Sequence, residues 1–357
     1  DGTMVEPIFY GPNIPFILIN GSKGIGTGFS TDIMSYNPLD LIKCVKLLLD
    51  GNDLVEPLIP YYEGFTGIIT PITDSKFLIK GVYKSDGVDT IQITELPIGT
   101  WTDDYKSDLE YMMTAVDKNG KKKKVFIKDY KDMSTDKNVD ITIKLHSGIL
   151  EKLEGASFDY GVNGVEKYFK LSTTRTNTNM YIFDANDILK KYKNAHEIIK
   201  DYFVTRLEMY DDRKKYIIKS LEEMLIVLSN KARYIQELLA GSIDLRGMKK
   251  IDINNLLTSK NYNQLSDVDG GRSDFKYLIK MPMDSVSEEN VERIMNEKDI
   301  KESELSSTKG LTIQSMWKQE LDELTTEYLI YKEERNKAMM STSVKKVKKK
   351  KLLVSSP

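Results

Sequence analysis

Residues 216–240 read YIIKSLEEMLIVLSNKARYIQELLA. Ile218, Leu221, Leu225, Leu228, Ala232, Ile235 and Leu239 recur at alternating steps of three and four residues. That repeat is the seam of a coiled coil and is narrower than the apolar stripe of a lone amphipathic helix. Extended back to about residue 196, it predicts one helix of roughly 65 Å at 1.5 Å per residue. A second long helix is predicted from Leu311, where Trp317, Leu321, Leu324, Tyr328 and Tyr331 follow the same stepping. The stretch between the two reads as short helical pieces and polar loops, including SDVDGGRSD at 266–274. Two facing seams joined by a small insert predict an antiparallel arm with a head at its tip.

Upstream the pattern changes. From about 58 to 184 short β-rich runs recur, FTGIIT at 65–70, KFLIKGVY at 76–83, DTIQITEL at 89–96, KVFIKDY at 124–130, VDITIKL at 139–145 and NMYIFD at 179–184. Helical interruptions fall near 103–115 and 147–154, so this block is mixed and the fold class is α+β. Nearer the N-terminus, Asn37-Pro38 supplies a cap and a first-turn proline, LDLIKCVKLLLD is apolar at helical spacing, and Gly51 marks the stop. IPFILI at 14–19 reads as a buried strand running into a turn at Asn20-Gly21.

Composition excludes several classes. The 357 residues carry 52 Lys+Arg against 54 Asp+Glu, and no window holds the ~18 apolar residues of a bilayer span; a membrane role is not expected. A single cysteine, Cys44, permits no internal disulfide, and Cys44 with His146 and His196 falls short of the four ligands of a Cys/His zinc site, which is nearly excluded. Six lysines at 345–351 leave residues 1–340 with 46 bases against 54 acids, an acidic body of −8. The lysine tail reads as disordered, serving import or solubility first and nucleic acid second. Asn119-Gly120 followed by Lys121 to Lys124 reads as a solvated hairpin turn.

Little here builds a hydrolase, since two isolated histidines and a cysteine on the apolar side of a helix make no triad. His146 at a strand end and His196 at a helix start read as surface or capping residues. Asp267 and Asp269 could hold a cation, but acids are common in such Gly/Ser-rich turns. The glycine-rich GSKGIGTGFS at 21–30 fails both phosphate-cradle patterns: Thr27 stands where the Walker lysine would be, and Phe29 replaces the last glycine of the dinucleotide fingerprint. What remains is Ile25 between Gly24 and Gly26. It reads either as part of a plain turn or as an aliphatic tooth of the kind that slides between base pairs.

VEPIFYGPNIPFILINGSKGIGTGFSTDI at 5–33 resembles the segment of eukaryotic and large-DNA-virus type IIA DNA topoisomerases that follows the winged-helix domain. PYYEGFTG at 60–67 and TELPIGTWTDDYK at 94–106 are similar to that family's tower domain. FKLSTTRTNTNMYIFD at 169–184, LKKYKNAHEIIKDYFVTRLEMYDDRKKY at 189–216 and NKARYI at 230–235 resemble the stretch entering its coiled coil. FKYLIKMP at 275–282 and MWKQELDEL at 316–324 resemble the return from its exit gate. The likeness covers nearly the whole chain and is weakest in the lysine tail and the 118–138 loop.

The resemblance implies residues 1–35 as the end of the winged-helix region with an intercalating loop, and 36–190 as the tower. It further implies 191–240 as the outgoing coiled-coil helix, 241–310 as the exit-gate head, 311–340 as the returning helix and 341–357 as a disordered tail. Ile25 corresponds to the family's intercalating isoleucine, and Lys23, Gly24, Gly26, Thr27 and Ser30 are the implied DNA-binding residues around it. The implied partners are double-stranded DNA and a second copy joined at the exit gate. ATP and Mg2+ serve the full enzyme, neither bound by this segment, and the nucleophilic tyrosine is expected upstream of residue 1. Arg233-Tyr234 imitates the family's arginine-tyrosine pair but lies in the coiled-coil motif, so no catalytic and no metal-ligating residue is expected here. The implied location is a eukaryotic nucleus or, for a viral protein, host cytoplasm. The competing class is a structural coiled-coil arm of chromosome maintenance, against which the strand-rich block at 58–184 speaks.

Overall fold

A computed structural model describes residues 5–7, 10–114, 124–265, 274–282 and 286–352, with the side chains of 340–352 left undescribed. The Lys121 to Lys123 run, Asp267 and Asp269 lie outside the described residues. Two compact units emerge, one of residues 1–205 with 324–357 and the other of residues 206–323. The chain is α+β.

The first unit begins with α1 (Phe16–Asn20), then β1 (Ser22–Ile25) and β2 (Ser30–Ile33) as an antiparallel hairpin, then α2 (Pro38–Leu49). The predicted strand at 14–19 is therefore a helix. A run of that length has no period to separate the two states; Pro15 at the N-cap, with φ −66°, presets a helical entry. Helix α2 starts as the sequence predicts: the Asn37 side chain accepts the Leu39 N–H at 3.0 Å, and Gly51 turns the chain with φ 77°.

The strand-rich block follows as β3 (Ile68–Thr73), β4 (Lys76–Lys80), β5 (Val82–Ser85), β6 (Thr90–Glu95), α3 (Thr102–Met113), β7 (Ile127–Asp132), β8 (Ile141–Leu145), α4 (Ile149–Glu154), β9 (Ser157–Phe158), β10 (Val162–Asn163) and α5 (Gly164–Tyr168). After it come β11 (Ser172–Thr176), β12 (Met180–Phe183) and β13 (Leu189–Tyr192). Strands order as β11-β4-β3 in one antiparallel sheet and β5-β6-β8-β7 in another, with β9-β10 and β12-β13 as separate ribbons. The predicted run 76–83 is thus two strands in two sheets, divided at Gly81. A Cβ there would stand 2.3 Å from the Glu95 carbonyl oxygen, so only glycine fits. Alternate residues of the four-stranded sheet, Ile91, Ile93, Ile141 and Ile143, bury one face against Tyr105 and Leu109 of α3 and Phe169. Each such buried side chain contributes about 1.5–3 kcal/mol. The Tyr105 hydroxyl keeps its hydrogen bond inside by donating to the Phe169 carbonyl at 2.8 Å.

Helix α6 (Ala195–Leu239) starts in the first unit and ends in the second, followed by α7 (Lys250–Ser259), α8 (Lys276–Ile279), α9 (Glu288–Gly310) and α10 (Ile313–Leu352). In the second unit the predicted seam holds through Leu221, Ala232 and Ile235, all buried, but Leu239 is 48% exposed. Toward the end of α6 the inward line shifts by one position to Tyr234 and Leu238, which join Ile243, Leu257, Tyr262, Phe275 and Leu278 in a core cluster of the second unit. An unsupercoiled helix drifts from a strict 3.5-residue repeat in this way.

Helix α9 corrects the reading of 241–310 as short pieces. Its Ile294 packs on Ala232 and Ile235, and Lys309 pairs with Glu222 at 2.7 Å, so its 23 residues run antiparallel to α6. Its sequence is mostly polar, with Ile294 its one fully buried side chain, which left no visible periodicity. Trp317 of α10 then stacks on Tyr210 at 5.2 Å, and the Tyr210 hydroxyl and Arg213 both reach Glu320, at 2.5 and 2.6 Å. The tail expected to be disordered from 341 stays helical to Leu352, since lysine is a good helix former and α10 supplies the nucleus. Residues 353–357 lie outside the described residues.

Candidate nucleic-acid interface

The glycine-rich segment forms the β1–β2 hairpin, with Ser22 facing Ile33, Lys23 facing Asp32, Gly24 facing Thr31 and Ile25 facing Ser30. The tip closes where the Gly26 N–H donates to the Phe29 carbonyl at 2.9 Å and Gly28 takes φ 94°. At the root Gly21 has φ 66°, and a Cβ there would meet the Ile33 carbonyl oxygen at 2.6 Å. Glycine is required at that position by both conformation and space.

Ile25 ends the first strand 92% exposed. A β-branched aliphatic side chain held so far into solvent gains nothing for the fold. Lys23, two residues back, shares its face of the ribbon, is exposed, and takes part in none of the ion pairs found among the described residues. Gly24 lies between them with no atom within 4 Å of where a Cβ would be, so the backbone there is open to close approach. Gly26 and Thr27 are exposed at the tip, while Ser30 is half-buried. The hairpin therefore brings together all six residues singled out from the sequence, with Ser30 as the inward member.

Behind the hairpin stands the segment leading into β12. The Asp32 N–H donates to the Asn179 carbonyl at 2.7 Å, the Asn179 amide donates to the Ser30 hydroxyl at 2.9 Å, and the Tyr181 N–H reaches the Thr31 hydroxyl at 3.3 Å. Arg175 of β11 donates to the Asp32 carboxylate at 2.5 Å and to the Tyr62 hydroxyl at 3.1 Å. Burial, partly offset by Arg175, pushes the Tyr62 phenol above its ordinary value. Phe29 sits 6.5 Å from the Tyr181 ring, and Lys191 lies 5.5 Å over the same ring. Sequence reading missed Asp32, Arg175 and Asn179. The FKLSTTRTNTNMYIFD motif contained two of them, but no local pattern ties it to a hairpin about 145 residues earlier.

Other candidates fall elsewhere. Tyr234 is 4% exposed in the core cluster of the second unit, and the Arg233 guanidinium covers the Tyr262 ring at 4.1 Å, so this pair presents no nucleophile. Burial raises the Cys44 thiol to about 11, which keeps it protonated. Burial also lowers the His196 imidazole from its usual value, in the first turn of α6. Among the described residues no group of three or more His, Cys, Asp or Glu could hold a metal ion.

A sequence model of the A-type subunit of DNA gyrase/topoisomerase IV matches residues 1–322. The chain is similar to DNA topoisomerase 2 of Penicillium chrysogenum, 32% identical over 358 residues that cover 94% of this chain and 22% of that protein. It is also similar to DNA topoisomerase 2-beta of Homo sapiens, 32% identical over 377 residues, 98% of this chain and 22% of that one. Among solved structures it is similar to the Plasmodium falciparum topoisomerase II DNA-binding, cleavage and re-ligation domain, with TM-score 0.79 and 32% identity, covering 95% of this chain and 46% of that chain. The chain thus spans about a fifth of the length of these full-length relatives.

Proposed function

The chain belongs to the type IIA DNA topoisomerase family as a segment of the cleavage core, and from that premise we propose that it grips and bends a DNA duplex for strand passage. Ile25 enters the stack from the minor groove as a wedge. Unstacking a base step costs a few kcal/mol, offset by the protein surface that bent DNA can then touch. Lys23 supplies a cation to the adjacent phosphates, and Gly24 and Gly26 let the backbone come close. Thr27 and Ser30 donate to phosphate oxygens. The observation that carries this reading is the 92% exposure of Ile25 on a hairpin fixed at its root.

In the same reading residues 1–35 close the winged-helix region, 36–190 form the tower, and 241–310 form the head that meets a second copy at the exit gate. The coiled-coil legs are 191–240 and 311–340. The whole enzyme works as a homodimer in the nucleus, or in host cytoplasm for a viral protein. It uses ATP and Mg2+ in strand passage, but the residues described here do not fit either group. Thr27 stands in place of a Walker lysine, and among the described residues no group of three or more His, Cys, Asp or Glu comes together, so no step passes through them. The nucleophilic tyrosine is assigned to a part of the enzyme other than these residues.

The test uses full-length enzyme carrying Ile25→Ala and a duplex labelled for energy transfer across the site. The bent fraction and the cleaved fraction should fall while the melting temperature stays put, because the side chain is almost wholly in solvent. Unchanged bending removes Ile25 from the mechanism.

A further inference from the structure

A ribbon of two four-residue strands is marginal by itself, so the direction of the Ile25 hairpin is set by what holds its root. Three of the tethers are neutral contacts from Asn179 and Tyr181. The fourth is the Arg175–Asp32 ion pair at 2.5 Å, with both side chains less than a third exposed. Its geometry differs from the others in two ways. Asp32 faces Lys23 across the ribbon and so lies on the face that carries Ile25. Arg175 also holds the Tyr62 hydroxyl, so one guanidinium joins the hairpin root to β11 and to the loop that follows Pro60.

We propose that Arg175, acting through Asp32, is a positioning residue that fixes the angle at which Ile25 meets DNA. The proposal rests on Ile25 being the wedge. A wedge unstacks bases only if its root resists the reaction force; a compliant root lets the hairpin swing aside and leaves the stack closed. The planar guanidinium fork meets a carboxylate and a phenol at once, which the single point charge of a lysine does not reproduce.

Two variants of the full-length enzyme separate bracing from simple charge. Arg175→Met removes the fork. Asp32→Asn keeps the shape and deletes a negative charge near the phosphates, so electrostatics alone would strengthen binding and bending, whereas loss of the brace weakens bending. With duplex at saturating enzyme, energy transfer should report an about tenfold fall in the ratio of bent to unbent DNA for both variants, the lower end of what one charge-assisted hydrogen bond contributes. The dependence of the dissociation constant on salt should stay parallel to wild type, and Ile25→Ala is run alongside. Bending by Asp32→Asn at or above wild type overturns the brace, as does wild-type bending by Arg175→Met while Ile25→Ala bends less. If Ile25→Ala bends like wild type, the wedge reading fails and the brace fails with it.

Discussion

Tyr328 of α10 donates its hydroxyl to the Glu63 carboxylate at 2.6 Å, and the same carboxylate oxygen accepts from Tyr61 at 2.9 Å. Burial, then the Glu63 charge, holds the Tyr328 phenol far above its ordinary range. Tyr331 stacks beside it at 6.2 Å, and Arg335 reaches the Glu63 carbonyl at 3.3 Å. Tyr328→Phe removes one charge-assisted bond at a half-buried site, and about 1 kcal/mol of stability should go with it in urea unfolding. Glu63→Gln should cost at least as much, since both phenols lose a charged acceptor.

Glycines of the hairpin should differ sharply in what they tolerate. Gly21→Ala puts a Cβ 2.6 Å from a carbonyl oxygen at φ 66°, so a loss of about 1–3 kcal/mol and a misdirected hairpin are expected. Gly24→Ala meets no atom within 4 Å and should leave the thermal melt unchanged. If DNA approaches the ribbon there, the same variant should weaken binding, read by titration with a labelled duplex.

Along α6, burial and not heptad position should decide the outcome. Ile235, wholly buried, should lose about 2–5 kcal/mol on truncation to alanine. Leu239→Ala, at the next seam position but half exposed, should stay within about 0.5 kcal/mol of wild type. Equal losses in chemical denaturation would mean that the seam continues past Ile235.

Acid should expose the Lys106–Asp132 pair, 2.8 Å apart. Partial burial favours the protonated carboxyl. The hydrogen bonds from Lys106 and from the Ser134 hydroxyl and backbone outweigh that and hold Asp132 at about 2, below the usual 3.8. The fold therefore prefers the ionised form, and its stabilisation is complete above pH ~4 and lost as pH falls toward ~2. Asp132→Asn should flatten the fall in unfolding midpoint over that window. An unchanged slope would assign acid sensitivity to other carboxylates.

The parts legible in the sequence were those with local signals. Helix α2 announced itself through Asn37, Pro38 and Gly51, and Ile25 stood out because three glycines within a few residues of it leave an aliphatic side chain without a core to join. Helix α1 was misread because five apolar residues fit either period. Strand β11, written in serine and threonine, carried no alternation of apolar residues, and α9 buries too little to show a stripe. The brace at the hairpin root was invisible for another reason. Arg175 and Asp32 are 143 positions apart, and nothing in either neighbourhood names the other.

Tyr62 and Glu63 are joined by one rigid planar peptide unit. The Tyr62 hydroxyl is held by Arg175 behind the β1–β2 hairpin, and the Glu63 carboxylate by Tyr328 of α10. The root of the hairpin and α10 are therefore anchored at adjacent residues of one short loop.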